Sequence, residues 1–406
     1  MKLRTIKKKL SDFNAFLHRW LGLISGLVVF ILGITGCIYV LEPDIKNVAY
    51  RDRLFIQPSE GTPLSLTELT RIAQDTMGDI PLVSIQANTA PNRTFRANAM
   101  LFNPAGTHYF NTIQVYYTVY IHPYSGKIVY IENTKHEFFN IILYLHYNLM
   151  LGMVGKYIVG WSTVIFIALL LSGLVLWWPW NKHMRKRSFR FGWKKTTGWK
   201  RKNYDLHNVL GFYSLIVCLI LAATGLVYTF SWFNQGYHRA LTGNALLTGS
   251  RPVSDTTVNI TSPEAPLDRL WNRLQLEYPD LSSVFFLLPT AAQGTYIAYI
   301  DYLEGNKYKE KRYHFDQYTL QELPFADHFA KRYEDLSVRE KIYRQNRNIH
   351  IGAIYGLPTK IIAFIASLIA ASLPITGFLI WYNRKWGKKK KSRDNEQRTR
   401  TKERRN

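Results

Sequence analysis

The sequence predicts a membrane protein that is mainly α: a four-transmembrane-helix bundle from a tandem duplication, with two α+β domains across the membrane from the chain ends. Three observations predict it. Four long apolar blocks interrupt an otherwise polar chain, basic residues cluster beside those blocks, and the blocks match one another in pairs.

The blocks come first. They run from Trp20 to Leu41, Tyr157 to Trp180, Val209 to Phe233 and Ile361 to Tyr382. Each is long enough to cross a hydrocarbon core, for which about 20 residues suffice. The first block is too long for a signal peptide, lacks a small-x-small cleavage site, and is followed by three more spans. Cys37 and Cys218 both fall inside blocks and read as small core residues, so cysteine says nothing about redox compartment.

Charge sets the direction. The formal net charge is +24, and most of the excess lies in Lys2–Lys9, Lys182–Lys202 and Arg384–Arg405. Basic clusters flanking spans are the positive-inside signal, and they also attract anionic membrane lipid. That placement argues against a nucleic-acid-binding arm, and no nucleic-acid partner is expected. Both termini and the central loop are therefore expected in the cytoplasm, with tryptophans such as Trp20, Trp177, Trp178, Trp180, Trp232 and Trp381 at the span ends.

The expected organisation follows. Residues 1–19 are a basic cytoplasmic segment, 20–41 span 1, 44–137 the first far-side domain, and 138–180 a helix with span 2. Residues 181–206 are a basic loop, 207–233 span 3, 236–341 the second far-side domain, 345–382 a helix with span 4, and 383–406 a basic tail.

An internal repeat links the spans. A shift of 189 residues lays Leu17, His18, Gly22, Ser25, Thr35 and Gly36 on Leu206, His207, Gly211, Ser214, Thr224 and Gly225. A shift of 204 lays His146, Gly152, Lys156, Gly173 and Trp177 on His350, Gly356, Lys360, Gly377 and Trp381, with Ser172 on Thr376. Apolar helices match by accident through Leu, Val and Ile; histidines, glycines and a tryptophan are harder to match that way. Parallel repeats imply a pseudo-two-fold axis along the membrane normal, so matched residues share a depth.

Four matched histidines therefore form two pairs: His18 with His207 near the cytoplasmic face, His146 with His350 near the far face. Bis-histidine haem ligation needs two imidazoles from different helices at one depth. Gly22 and Gly211 lie one turn after the first pair. Gly36 and Gly225 lie eighteen residues after it, on the same helix face and about 27 Å further along, which leaves room for the other haem. The competing reading of these glycines is close helix packing. Zinc prefers four gathered ligands, often with cysteine or carboxylate among them, and separated histidine pairs fit that poorly. Arg19 and Lys202 on the cytoplasmic side, and Arg344 and Arg347 on the far side, are candidates for haem propionates or an anionic chelate; their alternative is interfacial snorkelling.

The connections have their own pattern. A helix capped by Ser65 has Leu66, Leu69, Ile72, Ala73 and Met77 on one face. Strands follow at Ile113–Ile121 and Ile128–Ile131, joined by His122-Pro123-Tyr124-Ser125-Gly126. The second connection repeats the plan with a helix at Leu267–Leu274, strands at Ser283–Leu288 and Tyr296–Ile300, and a turn at Asp316–Leu320.

These turns, His18-Arg19-Trp20-Leu21-Gly22, Leu145-His146, Ile349-His350 and the Thr-Gly or Ser-Gly pair in each span resemble the PepSY-associated transmembrane family over nearly the whole chain. The turns depart from the family's hydrophobic-Asp-Pro-x-Thr-Gly pattern: His122 replaces Asp in the first, and Gln317 and Leu320 replace Pro and Gly in the second. The resemblance implies two periplasmic PepSY-like domains and a bacterial inner-membrane protein similar to di-haem ferric-siderophore reductases. Two b-type haems, each bis-histidine, would be its cofactors. Its partners would be a ferric siderophore and an electron donor, either a quinol or a cytoplasmic reductase. No nucleophile, phosphate loop or nicotinamide fingerprint occurs, so no catalytic side chain is assigned. Two rivals are a siderophore or metal permease without haem, and a PepSY sensor or inhibitory module.

Overall fold

The structure, a computed structural model, describes residues 2–58, 60–179, 185, 188–247, 249–258, 265–302 and 309–387. Trp180, most of the basic stretch at 181–187 and the tail from 388 lie outside the described residues. The chain forms two compact units. One comprises residues 1–38, 157–229 and 355–406; the other comprises 39–156 and 230–354.

In chain order the elements are α1 (Lys2–Val40), α2 (Glu42–Ala49), α3 (Arg51–Leu54), α4 (Leu66–Met77), β1 (Leu82–Asn88), β2 (Phe95–Phe102), α5 (Tyr109–Thr112), β3 (Ile113–Ile121) and β4 (Ile128–Glu132). Then come α6 (Phe138–Asn148), α7 (Gly152–Trp177) and α8 (Trp199–Thr229), the last with one π turn at Leu206–Leu210. The rest are α9 (Ser231–Thr242), α10 (Pro266–Glu277), β5 (Ser283–Leu287), β6 (Thr295–Asp301), β7 (Lys311–Asp316), β8 (Glu322–Leu323), α11 (Val338–Arg344), α12 (Asn346–His350) and α13 (Leu357–Lys385).

The first unit holds the four helices long and apolar enough to span a membrane: α1, α7, α8 and α13. The basic amino-terminal segment continues the first span as helix, so His18 lies inside α1 rather than before it. Leu170, Leu215, Cys218, Ala366 and Ala370 pack together between the helices. Gly33 brings α1 against α13, where an added Cβ would lie 2.8 Å from the Ala371 backbone. Small residues at helix crossings are the usual means of packing spans closely. Large apolar side chains such as Ile24, Leu27 and Ile216 stay about 70% uncovered, as a lipid-facing surface requires. Both cysteines are free and buried.

The second unit is built on one eight-stranded antiparallel sheet of order β4-β3-β2-β1-β5-β6-β7-β8. The two expected α+β domains thus share a sheet. Their first strands pair directly, from Ser84 opposite Leu287 to Asn88 opposite Ser283. Helices α4 and α10 cover one face, burying Leu69, Ala73, Leu270 and Leu274 on Ile85, Ala97, Val119, Val284, Phe286 and Phe315. Ser65 caps α4 by accepting from Glu68 N at 3.1 Å. The α4 Thr67 amide donates to Asp268 Oδ1 of α10 at 3.0 Å, which joins the two helices.

The divergent turns work by substitution. Asp316 Oδ1 accepts from the Tyr318 and Thr319 amides at 2.9 and 2.8 Å. His122 Nδ1 stands in that role in the first turn, accepting from Tyr124 N at 3.4 Å. Gly126 has φ +69°, and Leu320, at the matching place, adopts φ +57° despite its side chain.

Candidate functional site

The four matched histidines meet in two pairs, one in each unit. His18 of α1 and His207 of α8 have ring centres 6.5 Å apart and planes at 89°. His146, near the end of α6, and His350, the last residue of α12, have ring centres 6.1 Å apart and planes at 57°. Two imidazoles ligating one metal from opposite sides put their centres about 6.3 Å apart, given a metal–nitrogen bond of about 2.0 Å and about 1.15 Å from nitrogen to ring centre. Direct ring contacts reach similar separations, so the hydrogen bonds behind the rings carry the distinction.

Those bonds are clear for the pair in the spans. Ser172 Oγ lies 2.8 Å from His18 Nδ1, and Thr376 Oγ1 lies 2.9 Å from His207 Nδ1. Each hydroxyl spends its own proton on a backbone carbonyl: Ser172 on Leu169 O at 3.1 Å, Thr376 on Ser372 O at 3.0 Å or Leu373 O at 3.1 Å. With its proton on the carbonyl, each hydroxyl accepts from Nδ1–H. In that tautomer the lone pair of each ring is on Nε2, the nitrogen then free to ligate a metal, with a partner behind the ring.

Space is arranged the same way. A Cβ at Gly173 would sit 3.1 Å from His18 Cε1, and one at Gly377 would sit 3.2 Å from His207 Cε1. The Ser-Gly and Thr-Gly dipeptides of the even spans therefore orient the histidines of the odd spans. Asn14 Nδ2 donates to Ser172 O at 3.2 Å and Asn203 Nδ2 to Thr376 O at 3.0 Å. These asparagines are 189 residues apart, the spacing of His18 and His207, so the repeat contained the signal although function had not been assigned to it. A π turn surrounds His207, a local irregularity common at functional helix positions.

The other named residues fall as follows. Gly22 faces Leu169, with an added Cβ at 3.8 Å, and Gly211 faces Leu373 at 3.5 Å. Gly36 and Gly225 are half-buried, Arg19 is exposed, and Arg347 is half-buried one turn before His350. Lys202 Nζ lies 5.8 Å from the centre of the Trp193 ring. Arg344, a candidate for anion binding, is instead buried and donates to His328 O, Lys331 O and Glu310 O. Its charge is engaged by carbonyls, which removes it from that role.

The pair in the second unit is mounted differently. After α6 the backbone turns through Leu149 and Met150 to Gly152, the first residue of α7, all three at positive φ. After α12 it turns through Gly352 and Gly356 before α13, whose second residue is Pro358. Both histidines thus sit on short helices set off from the following span. Among the described residues no three His, Cys, Asp or Glu side chains gather into a metal-binding group, so the histidines offer ligands two at a time. A cofactor that fills the remaining positions itself, as a porphyrin does, fits this donor set.

Among curated proteins no relative matches the chain. The model of one protein family, described as the PepSY-associated TM region, matches residues 15–384, nearly all of the helices and the whole sheet, and the chain belongs to that family.

Proposed function

We propose that the chain is a di-haem b electron-transfer protein of the bacterial inner membrane that reduces ferric siderophore iron in the periplasm and releases Fe(II). The paired imidazoles of His18 and His207, each with a hydroxyl against Nδ1, are the observation that supports the reading. Bound haem supplies a one-electron Fe(III)/Fe(II) couple at each pair.

The chain's own contribution is position. Ser172 and Thr376 set the tautomer of the first pair, and Gly173 and Gly377 leave room for the rings. His146 and His350 hold the second pair at the sheet-bearing unit. The basic segments support termini and a central loop in the cytoplasm, with the sheet in the periplasm. The matched order of elements supports a tandem duplication. Overall, a quinol or a cytoplasmic reductase gives electrons singly to Fe(III) chelates; a quinol serves two ferric centres and releases two protons. Hard oxygen donors hold Fe(II) less tightly than Fe(III), so reduction frees the metal.

A dithionite-reduced minus oxidised spectrum of the purified protein, with haem quantified per chain, tests this. The expected result is two b-type haems, one lost in His18→Ala and the other in His350→Ala. Reduced protein should then be oxidised by ferric siderophore. A colourless protein from haem-sufficient cells would overturn the reading and favour a permease.

A further inference from the structure

The sheet face turned away from α4 and α10 carries polar side chains in its first half: Ser84 and Gln86 of β1, Arg96 and Asn98 of β2, Thr118 and Tyr120 of β3, and Glu132 of β4. Above them lies a cavity of about 240 Å³, closed by α2 and α6 residues including Glu42, Lys46, Phe139 and Asn140. That is somewhat smaller than a drug-sized site, for which about 300 Å³ is the lower range, and suits a small ligand.

The charges on its walls are unevenly committed. Glu132 is paired with Arg53 at 2.6 Å. Lys46 is shared by two carboxylates, Glu42 at 2.9 Å and Glu137 at 3.5 Å; Glu137 is also taken by the Tyr50 hydroxyl at 2.8 Å and the Asn140 amide at 2.7 Å, which leaves Glu42 the less engaged acid. Arg96 donates to Gln86 Oε1 at 2.5 Å and has no carboxylate partner among the described residues. It lies on β2, beside the Tyr116 and Tyr120 phenols of β3. Glu137 and Lys46 lie near enough to Glu132 of β4 to act on its carboxyl, and β4 is two strands from β2, about 10 Å at the usual strand spacing.

A cavity with a guanidinium that no carboxylate pairs at one end, and two carboxylates on one ammonium at the other, is complementary to a dipole. We infer that this cavity binds a small zwitterion, its carboxylate on Arg96 and its ammonium towards Glu42. Arg recognises carboxylate through two parallel N–H donors, which gives the anionic end its geometry. The inference does not rest on the electron-transfer reading.

Three probes of equal length separate the possibilities: 6-aminohexanoate, adipate and 1,6-diaminohexane, titrated calorimetrically into the full-length protein in nanodiscs. The expected result is 6-aminohexanoate binding about tenfold more tightly than either symmetric probe, with Kd on the order of 0.1–1 mM. Arg96→Gln should abolish that advantage while the melting temperature and visible spectrum stay unchanged. Equal binding of the three probes, no binding at all, or an advantage that survives Arg96→Gln would overturn the proposal. Should that variant not fold, Lys46→Gln gives the second reading. Removing the counterion from the acid end should strengthen diaminohexane binding several-fold, and unchanged affinity would equally overturn it.

Discussion

The two halves of the sheet share an apolar face under a helix, yet they treat the opposite face in contrasting ways. In the second half, residues 324–337 run between β8 and α11, and Phe329 O accepts from the Arg312 amide of β7 at 3.1 Å, so the connection runs beside β7. Arg312 of β7 pairs there with Glu310 at 2.8 Å and Asp327 at 3.2 Å, and its guanidinium lies 4.1 Å from the centre of the Phe329 ring. Arg344 locks the segment from the α11 side by its bonds to three carbonyls. In the first half only residues 133–137 separate β4 from α6, too few to cross the face, and a cavity is left. The longer connection therefore supplies the partners that engage Arg312, and the shorter one leaves Arg96 without them.

Buried carboxylates register the difference with opposite signs. Burial and the neighbouring Glu137 push the Glu132 carboxyl above its ordinary value despite Arg53 and Lys46. Burial also pushes Asp327 up, but the His328 hydrogen bond and the charges of His328 and Arg312 outweigh it and hold the carboxyl at about 2. Enough counter-charge surrounds an acid in the filled half; in the open half two acids compete for it.

The largest effect is expected from Arg344→Ala, which leaves the carbonyls of Glu310, His328 and Lys331 without their donor. A loss of about 3–5 kcal/mol should appear as faster hydrogen exchange in β6 and β7 but not in β2 and β3. Equal loss in both halves would show that they unfold as one body and would remove the contrast.

Asp327→Asn comes next. A carboxyl whose folded pKa lies below its ordinary 3.8 contributes stability above that value and loses it as pH falls through about 2. After solvent screening the contribution is about 1–2 kcal/mol. The variant should lose that much near pH 6 and show a flatter acid limb between pH 4 and 2 in exchange measurements. The smallest effect belongs to Glu132→Gln. A raised folded pKa contributes stability at low pH that is lost as pH rises through it. The amide should therefore change stability at pH 7 by no more than about 1 kcal/mol and flatten the pH dependence of β4 above pH 4.5. An unchanged pH dependence would show that Glu132 is not the responding acid.

Much of this was legible in the residues. The span expected at Ile361–Tyr382 lies within α13, and the strand expected at Ile113–Ile121 has those bounds in the structure. Strands β1 and β2 were not read. On the core face of β2 stand Ala97 and Ala99, and alternation of alanine with asparagine gives little period-2 contrast. The β1–β5 seam was also invisible, because periodicity says which residues share a face and nothing about which distant strand lies beside them. At the histidines the matched positions were readable, including Ser172 and Thr376. Their role was not, since a hydroxyl facing an imidazole across 154 or 169 residues of chain has no local signature.

The seam between β1 and β5 has a consequence for how this protein can be divided. The backbone groups that β1 offers to β5 are the innermost ladder of the sheet, from Ser84 to Asn88, and they are satisfied only by the other half. Cutting the chain at its central basic loop would turn that ladder into an open edge at the centre of the sheet's width. Such an edge is adhesive towards any strand that presents itself. A half-length piece is therefore an incomplete object, one that needs a partner strand along that edge.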